Sequence, residues 1–358
     1  MTYNSIRPGQ VWLDTEGKRI QAHGGSVITV GDTFYWYGEN KEKTKVGSDI
    51  WHWGVRCYAS KDLYNWEDKG LIIPPDVDDA NSPLHPAQYM DRPHIIFNEA
   101  TQKFVCWVKV MRQEGQKSTV LTADHILGPY MVVKKDIRPL NMGAGDFDLV
   151  AAPDGKAYYY FERVHSELIC ADLTEDYTDV TGYYSTHFPN NQPPYVREAP
   201  AYFYRKGLHY LFTSGTTGYH PNPSEVACAI TFHGPWEVLG DPHPDDLSRT
   251  SYNSQITSVF KHPFKKDLYI ALADRWIPNL PQLVGERFAD GTQSCIAADI
   301  YKAVFDPEID YVLKEEDKLP VSLDFDTCNS DYVWLPVRFD GRMAYLDWKE
   351  EWKIDDFE

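Results

Sequence analysis

The sequence predicts an all-β chain folded as a five-bladed β-propeller, and three observations carry that expectation. Short runs rich in Val, Ile, Tyr, Phe and Trp are bounded by turn signals such as "VGDT", "APDGK" and "YRKGL". Convincing helical periodicity is scarce. The runs also recur in groups, each with three strands in the same order and most with a fourth. Four-stranded units repeated at such spacing are the mark of propeller blades.

The groups begin near Ala22, Asp91, Asp146, Glu198 and Gln255. The first reads "GGSVITV", "TFYWYGE" and "GVRCYAS", and the second "RPHIIFN", "KFVCWVKV" and "STVLTA". The third has "FDLVAAP", "KAYYYFE" and "ELICADL", and the fourth "APAYFYR", "LHYLFTSG" and "EVACAI". The fifth has "SQITSVFK" and "DLYIALAD", then the insertion "RWIPNLPQLVGERFADGTQ", then "YVWLPVRF". Five blades account for residues 1–358 as a single domain.

Composition narrows the partners. Of 358 residues, 42% are hydrophobic and 25% charged, the balance of a soluble globular chain. A net charge of −18 argues against nucleic acid and anionic membranes. Aromatics reach 14%, with 24 Tyr and 11 Trp. That content suits sheet structure, and it also suits carbohydrate, since flat rings stack on the apolar faces of sugars. Cys57, Cys106, Cys170 and Cys228 lie in apolar strand-like runs, and none of the six cysteines forms a CxxC. Buried free thiols are the expectation, with no disulfide framework and no zinc site. The N-terminal "MTYNSIRPGQVW" has no apolar signal core, and no run approaches a span of ~20 residues. Cytoplasmic placement is expected, unless a signal peptide has been removed.

The blade starts carry the chemistry. In a propeller the first strand of each blade lines the central channel. Here those starts bear His23, Asp91 with Arg92, Asp146, Glu198 and Gln255, each ahead of an otherwise apolar run. A charge at the head of a buried strand needs a partner or a purpose. Any one acidic residue at a strand start also reads as turn chemistry. Polar groups at matching points of successive blades predict an axial active site.

Several motifs resemble glycoside hydrolase family 43. They include "SKDLYNW", the Gly-Pro-aromatic turns "ILGPYMVV" and "HGPWEVLG", and the blades "GDFDLVAAPDGKAYYYF" and "REAPAYFYRKGLHYLFTSGTTGY". "AHGG", "YWYGENK", "DRPHIIFN", "EAPAYFYR", "TSGTTGY", "SYNSQITS" and "DYVWLP", in that order, resemble its exo-β-1,3-galactanase-type subfamily. The resemblance runs from about Gly9 to Trp348. It implies an inverting exo-glycoside hydrolase acting on β-1,3-linked galactose in oligo- or polysaccharides. Related propellers remove α-L-arabinofuranose, β-galactofuranose or β-xylose, and these stay open. So does a catalytically silent sugar-binding propeller, because the usual base is missing.

Glu198 matches the general acid, next to Ala199-Pro200 whose apolar character favours a protonated carboxyl. Asp146 matches the residue that tunes the acid's pKa, and Asp148 is its same-face neighbour. Most of the family has a base aspartate on the first strand of blade one, where this chain reads Ala22-His23-Gly24-Gly25. The subfamily resemblance gives Gln255 a water-orienting role. Asp91, where the subfamily usually has Glu, is the other candidate for base or substrate contact. Six further residues are substrate-binding candidates: Glu39, Thr216 and Gly218 match substrate-contacting positions, Arg92 is placed to hold a carboxylate or a sugar hydroxyl, His23 to point into the channel, and Trp334 either to stack on a sugar face or to fill the core. No cofactor is implied, and no metal-binding motif is present. A structural calcium or sodium ion in the channel, with His23 as one candidate donor, is compatible with the pattern.

Overall fold

The computed structural model describes residues 2–190, 192–306, 308–309, 311–312, 314 and 325–358. Blade one comprises β1 (His23–Val30), β2 (Thr33–Glu39), β3 (Val55–Ser60) and β4 (Glu67–Ile73). Blade two comprises β5 (Tyr89–Asn98), β6 (Lys103–Arg112), β7 (Gly115–Ala123) and β8 (Met131–Ile137). Blade three comprises β9 (Ala144–Ala151), β10 (Ala157–Arg163), β11 (Glu167–Leu173) and β12 (Val180–His187). Blade four comprises β13 (Glu198–Arg205), β14 (Leu208–Ser214), β15 (Glu225–Ala229) and β16 (Glu237–Gly240). Blade five comprises β17 (Gln255–Lys261), β18 (Tyr269–Arg275) and β19 (Asp331–Pro336).

Each blade is an antiparallel meander. The first strands form a ring: β1 packs on β5, β5 on β9, β9 on β13, β13 on β17, and β17 back on β1. The N-terminal segment ties the ring closed, with Gly9 N donating to Tyr332 O and Ile6 pairing with Trp352. The insertion of blade five folds as α1 (Leu280–Val284), α2 (Glu286–Ala289) and α3 (Thr292–Phe305).

The strands read as continuous apolar runs because both blade faces are buried. On β10, Tyr159 and Phe161 pack toward blade two with Val105, Trp107 and Val120. Tyr158 and Tyr160 point the other way, toward Leu211 of blade four. Alternation along a strand thus feeds two cores at once. The largest aromatic cluster, Trp12, Trp36, Trp66 and Trp334, closes blade one on blade five. Each fully buried aromatic of this size contributes about 1.5–3 kcal/mol by leaving water. Cys57, Cys106, Cys170 and Cys228 are buried and free within these layers, as their apolar runs suggest.

All five inner strand pairs lose regular register near the same end of the channel. The irregularities fall at His23/Ser26, Asp91/His94, Phe161/Arg163 opposite β9, Glu198/Ala201 and Ile256/Ser258. Gly24, Arg92 and Ala199 there have positive φ of 61°, 55° and 48°. Bulges re-aim side chains beside functional sites, and left-handed non-glycine residues mark constrained positions. This distorted layer turns the polar residues of the blade starts toward one another.

Candidate active site

The layer holds a connected chain of side chains. Gln255 is its centre: its Oε1 accepts from Arg92 Nη2 at 2.7 Å. Its Nε2 donates to Glu198 Oε1 at 3.2 Å and to Ser214 Oγ at 3.0 Å. Arg92 Nη2 also lies 2.9 Å from Asp146 Oδ2. Lys109 Nζ bridges Asp146 Oδ1 at 2.8 Å and Asp91 Oδ2 at 3.3 Å. Trp51 Nε1 donates to Asp91 Oδ1 at 2.7 Å. Glu39 accepts from Arg92 N at 2.8 Å and pairs with Lys41 Nζ at 2.9 Å.

These groups surround a cavity of about 190 Å³ lined by Glu39, Trp51, Asp91, Arg92, Lys109, Asp146, Glu198, Gly218, Tyr219, Gln255 and Trp276, with Met111 at its edge. That is smaller than the roughly 300–1,000 Å³ typical of drug-sized ligands, and it suits one sugar ring. A larger cavity of about 820 Å³ opens at the other end of the channel, around His94 and Asp148. It lies away from the Glu198 group, and the chemistry argued below belongs to the smaller one.

The electrostatics divide the carboxylates. Burial and then the Asp146 charge push Glu198 well above the usual carboxylate range, with Glu162 adding to the effect. Asp146 feels burial too, yet the Arg92 guanidinium and Lys109 ammonium outweigh it and hold Asp146 ionised. Burial likewise opposes ionisation of Asp91, and Lys109 with Lys41 reverses that, helped by the Trp51 hydrogen bond. Burial raises Glu39 despite Lys41. The cavity therefore joins two carboxyls pushed up, Glu198 and Glu39, to two held ionised, Asp91 and Asp146, an arrangement suited to acid–base work.

Of the ten residues singled out from the sequence, Glu198, Asp146, Gln255, Asp91, Glu39, Arg92 and Gly218 line this cavity. The other three stand elsewhere. Of the two readings of Trp334, sugar platform or core residue, the structure shows the core: it is 1% exposed and packed against Trp12, Trp36 and Trp66. Its strand is buried on both faces, and its side chain points between blades. His23 is fully buried, with Nδ1 on Asp274 Oδ1 at 2.8 Å and Nε2 against the Tyr332 hydroxyl at 3.3 Å. Thr216 is buried and donates its hydroxyl to Val196 O at 3.0 Å, so it braces its own turn. Asp148 lies one layer below, held by His94 Nδ1 and the Tyr202 and Leu149 amides.

The empty place on β1 is filled from neighbouring strands. Gly24 donates its N–H to Asp274 Oδ2 at 2.8 Å. A Cβ on Gly24 would lie 2.5 Å from Glu39 Oε1, and one on Gly25 would lie 1.8 Å from Tyr37 O. The glycines let the Glu39 carboxylate and the β2 backbone close over the strand. Both His23 nitrogens are engaged, which leaves no free donor there for an ion. Among the described residues no three His, Cys, Asp or Glu side chains gather as a metal site.

Sequence reasoning missed Lys41, Trp51, Lys109, Tyr219 and Trp276. A lysine inside the apolar run "KFVCWVKV" was the available signal for Lys109. Trp51 and Tyr219 stack at 5.8 Å across loops of blades one and four, a meeting set only by the ring closure.

Residues 20–271 match the family described as Glycosyl hydrolases family 43. The chain belongs to this family. Among solved structures, a family 43 β-1,3-galactosidase is 27% identical with a TM-score of 0.76, covering 99% of this chain and 65% of its own. This chain thus spans about two-thirds of that relative's length. Another family 43 β-1,3-galactosidase, solved with galactodeoxynojirimycin, is 25% identical with a TM-score of 0.74, covering 98% of this chain and 100% of its own. An exo-β-1,3-galactanase from Clostridium thermocellum is 25% identical with a TM-score of 0.73, covering 98% of this chain and 66% of its own. Among curated proteins none matches the chain.

Proposed function

We propose that this family 43 chain is an exo-acting, inverting glycoside hydrolase that releases terminal β-1,3-linked galactose. The observation that carries the reading is the pairing of Glu198, kept protonated by burial and by Asp146, with a cavity sized for one sugar. The similar galactosidases and galactanase support the choice of sugar.

Glycoside cleavage needs a proton on the departing oxygen and, for inversion, a water activated on the opposite face. Glu198 donates that proton. Gln255 Nε2 donates to Glu198 Oε1 and so fixes that oxygen as the acceptor; the acidic proton then sits on Oε2. Asp146 stays ionised, keeps the acid's pKa up and anchors Arg92. Arg92 Nη1 is buried with no partner among the described residues, and it serves as a donor to a sugar hydroxyl.

The water is assigned to Gln255 or Asp91. Gln255 already touches the acid, whereas inverting carboxyl pairs stand roughly 6.5–9.5 Å apart. That contact favours Asp91, an ionised carboxylate held by Lys109 and Trp51 that makes no direct contact with Glu198 among the described residues, as the group facing the water. Gln255 then positions acid and substrate.

The test is release of monosaccharide from β-1,3-galactan oligomers, followed by sugar chromatography, with Glu198→Gln as control. Galactose from the non-reducing end, as the β-to-α inverted anomer by proton NMR, is expected. Arabinose, galactofuranose or xylose released from a nitrophenyl glycoside panel would replace the sugar assignment. No release from any substrate, with retained sugar binding, would leave a silent sugar-binding propeller.

A further inference from the structure

The cavity's rim on blade four is shaped by the helical insertion of blade five. The packed face of α3 carries Gln293, Ser294, Ala297 and Ile300, at the three-to-four-residue spacing of one helix side. The start of the helix is pinned. Ser294 Oγ donates to Arg249 O at 2.7 Å, and Gln293 Nε2 lies 3.5 Å from His220 Nε2. Tyr301 continues that face one turn on from Ala297.

The Tyr301 hydroxyl rests on Gly218. A Cβ added to Gly218, whose φ is +58°, would lie 2.3 Å from that oxygen. Gly218 lines the Glu198 cavity, while Tyr301 itself stands just outside it. Burial, and after it the charge of Glu198, pushes the phenol up to about 12, which places the hydroxyl within electrostatic reach of the acid. Among the described residues no hydrogen bond is made to it. A half-buried phenol normally finds a partner, and this one is aimed at the cavity rim.

We propose that Tyr301 selects the leaving group, its hydroxyl hydrogen-bonding the sugar that departs while α3 walls that subsite. This rests on the reading of Glu198 as the acid. The acid must reach the glycosidic oxygen, and that oxygen joins the sugar in the cavity to the group outside. A hydroxyl at the rim beside Glu198 therefore faces the departing side. The implied leaving group is a hydroxyl-bearing sugar, so an oligosaccharide is preferred over an aryl glycoside.

The experiment compares β-1,3-galactobiose with 4-nitrophenyl β-galactoside for wild type, Tyr301→Phe and Tyr301→Ala. Loss of one neutral hydrogen bond predicts a fall in kcat/KM of about 3–10-fold on the disaccharide for Tyr301→Phe, carried by KM. Tyr301→Ala should lose more on the disaccharide. The nitrophenyl substrate, which offers no hydroxyl there, should change by less than about twofold. Equal losses on both substrates, or none on the disaccharide, would overturn the Tyr301 assignment while an active wild type leaves the galactosidase reading standing. If wild type releases a different sugar, the reading of the sugar fails and the same contrast, run with that sugar's disaccharide and nitrophenyl glycoside, still decides Tyr301. No release of any sugar overturns both.

Discussion

Gln255 donates its side-chain amide to Glu198 Oε1 at 3.2 Å, and its other end is held by Arg92 at 2.7 Å. An amide cannot reverse its polarity without breaking one of these bonds. Glu198 is therefore offered a donor at one oxygen, from a residue whose orientation a buried guanidinium enforces. The first strands of blades two, four and five meet in this contact, and the bulges at Arg92 and Ala199 aim two of the three side chains.

Glu198→Gln should lower kcat by about 10²–10⁴-fold, the usual worth of a positioned acid. It should also raise Tm at neutral pH. The carboxyl's pKa is raised in the fold, so stability falls as pH climbs from the unfolded value, about 4.3, toward the folded one. A neutral amide escapes that cost. Scanning calorimetry at neutral and acidic pH should show the stabilisation at neutral pH and its disappearance below about pH 4. A variant that is inactive but no more stable at neutral pH would contradict the raised pKa.

Asp146→Asn should move the alkaline limb of the pH–rate profile to lower pH. The Asp146 charge raises the pKa of Glu198, and Arg92 and Lys109, no longer neutralised by it, would lower that pKa further. The acid then loses its proton at lower pH. Profiles of kcat/KM against pH for both proteins measure the shift. An unmoved or upward-moved limb would separate Asp146 from the acid.

Asp91→Asn and Gln255→Ala should differ in kind. If Asp91 activates the water, Asp91→Asn loses kcat by orders of magnitude, and azide as a replacement nucleophile restores product. Gln255→Ala should lose less, because it removes positioning at Glu198 and Arg92. The reverse ranking would give the water to Gln255.

Blade starts were legible in the sequence because a propeller repeats, and repetition makes one polar residue per inner strand stand out. The observed inner strands begin within two residues of the expected points, as at His23, Tyr89, Ala144, Glu198 and Gln255. Side-chain direction was less legible. Trp334 sits in a run buried on both faces, so alternation alone gives no inward side, and only the meeting of blades one and five decides it. Trp51, Tyr219 and Trp276 come from loops whose paths depend on ring closure, which no local pattern records.

Trp334→Ala should destabilise the fold by about 3–5 kcal/mol, the cost of emptying a packed aromatic site. Its position in the core between blades, away from the cavity, means that any activity loss tracks unfolding; at a temperature where the variant is folded, KM should match wild type. Trp276→Ala, by contrast, removes a cavity wall and should raise KM more than it lowers the denaturant midpoint. Urea melts paired with kinetics distinguish the two, and a KM effect at Trp334 in folded protein would return it to the sugar site.

Lys109→Met should couple a stability loss to a shift in the acid limb. Lys109 is the cation between Asp91 and Asp146, at 3.3 and 2.8 Å, and all three side chains are at most 14% exposed. Removing one partner of a buried pair costs about 3–5 kcal/mol, because the remaining charges lose their compensation. Part of that cost is relieved if a carboxylate takes up a proton, so the pKa of Asp91 or Asp146 rises. Both are held ionised by Lys109 in the wild type. Activity that needs them ionised then begins at higher pH, and the acid limb moves upward. The direction is opposite to the alkaline-limb shift of Asp146→Asn, and loss of the Lys109 charge, which lowers the pKa of Glu198, pushes the alkaline limb upward as well. A Lys109→Met enzyme with the wild-type acid limb would show that neither carboxylate's charge limits turnover.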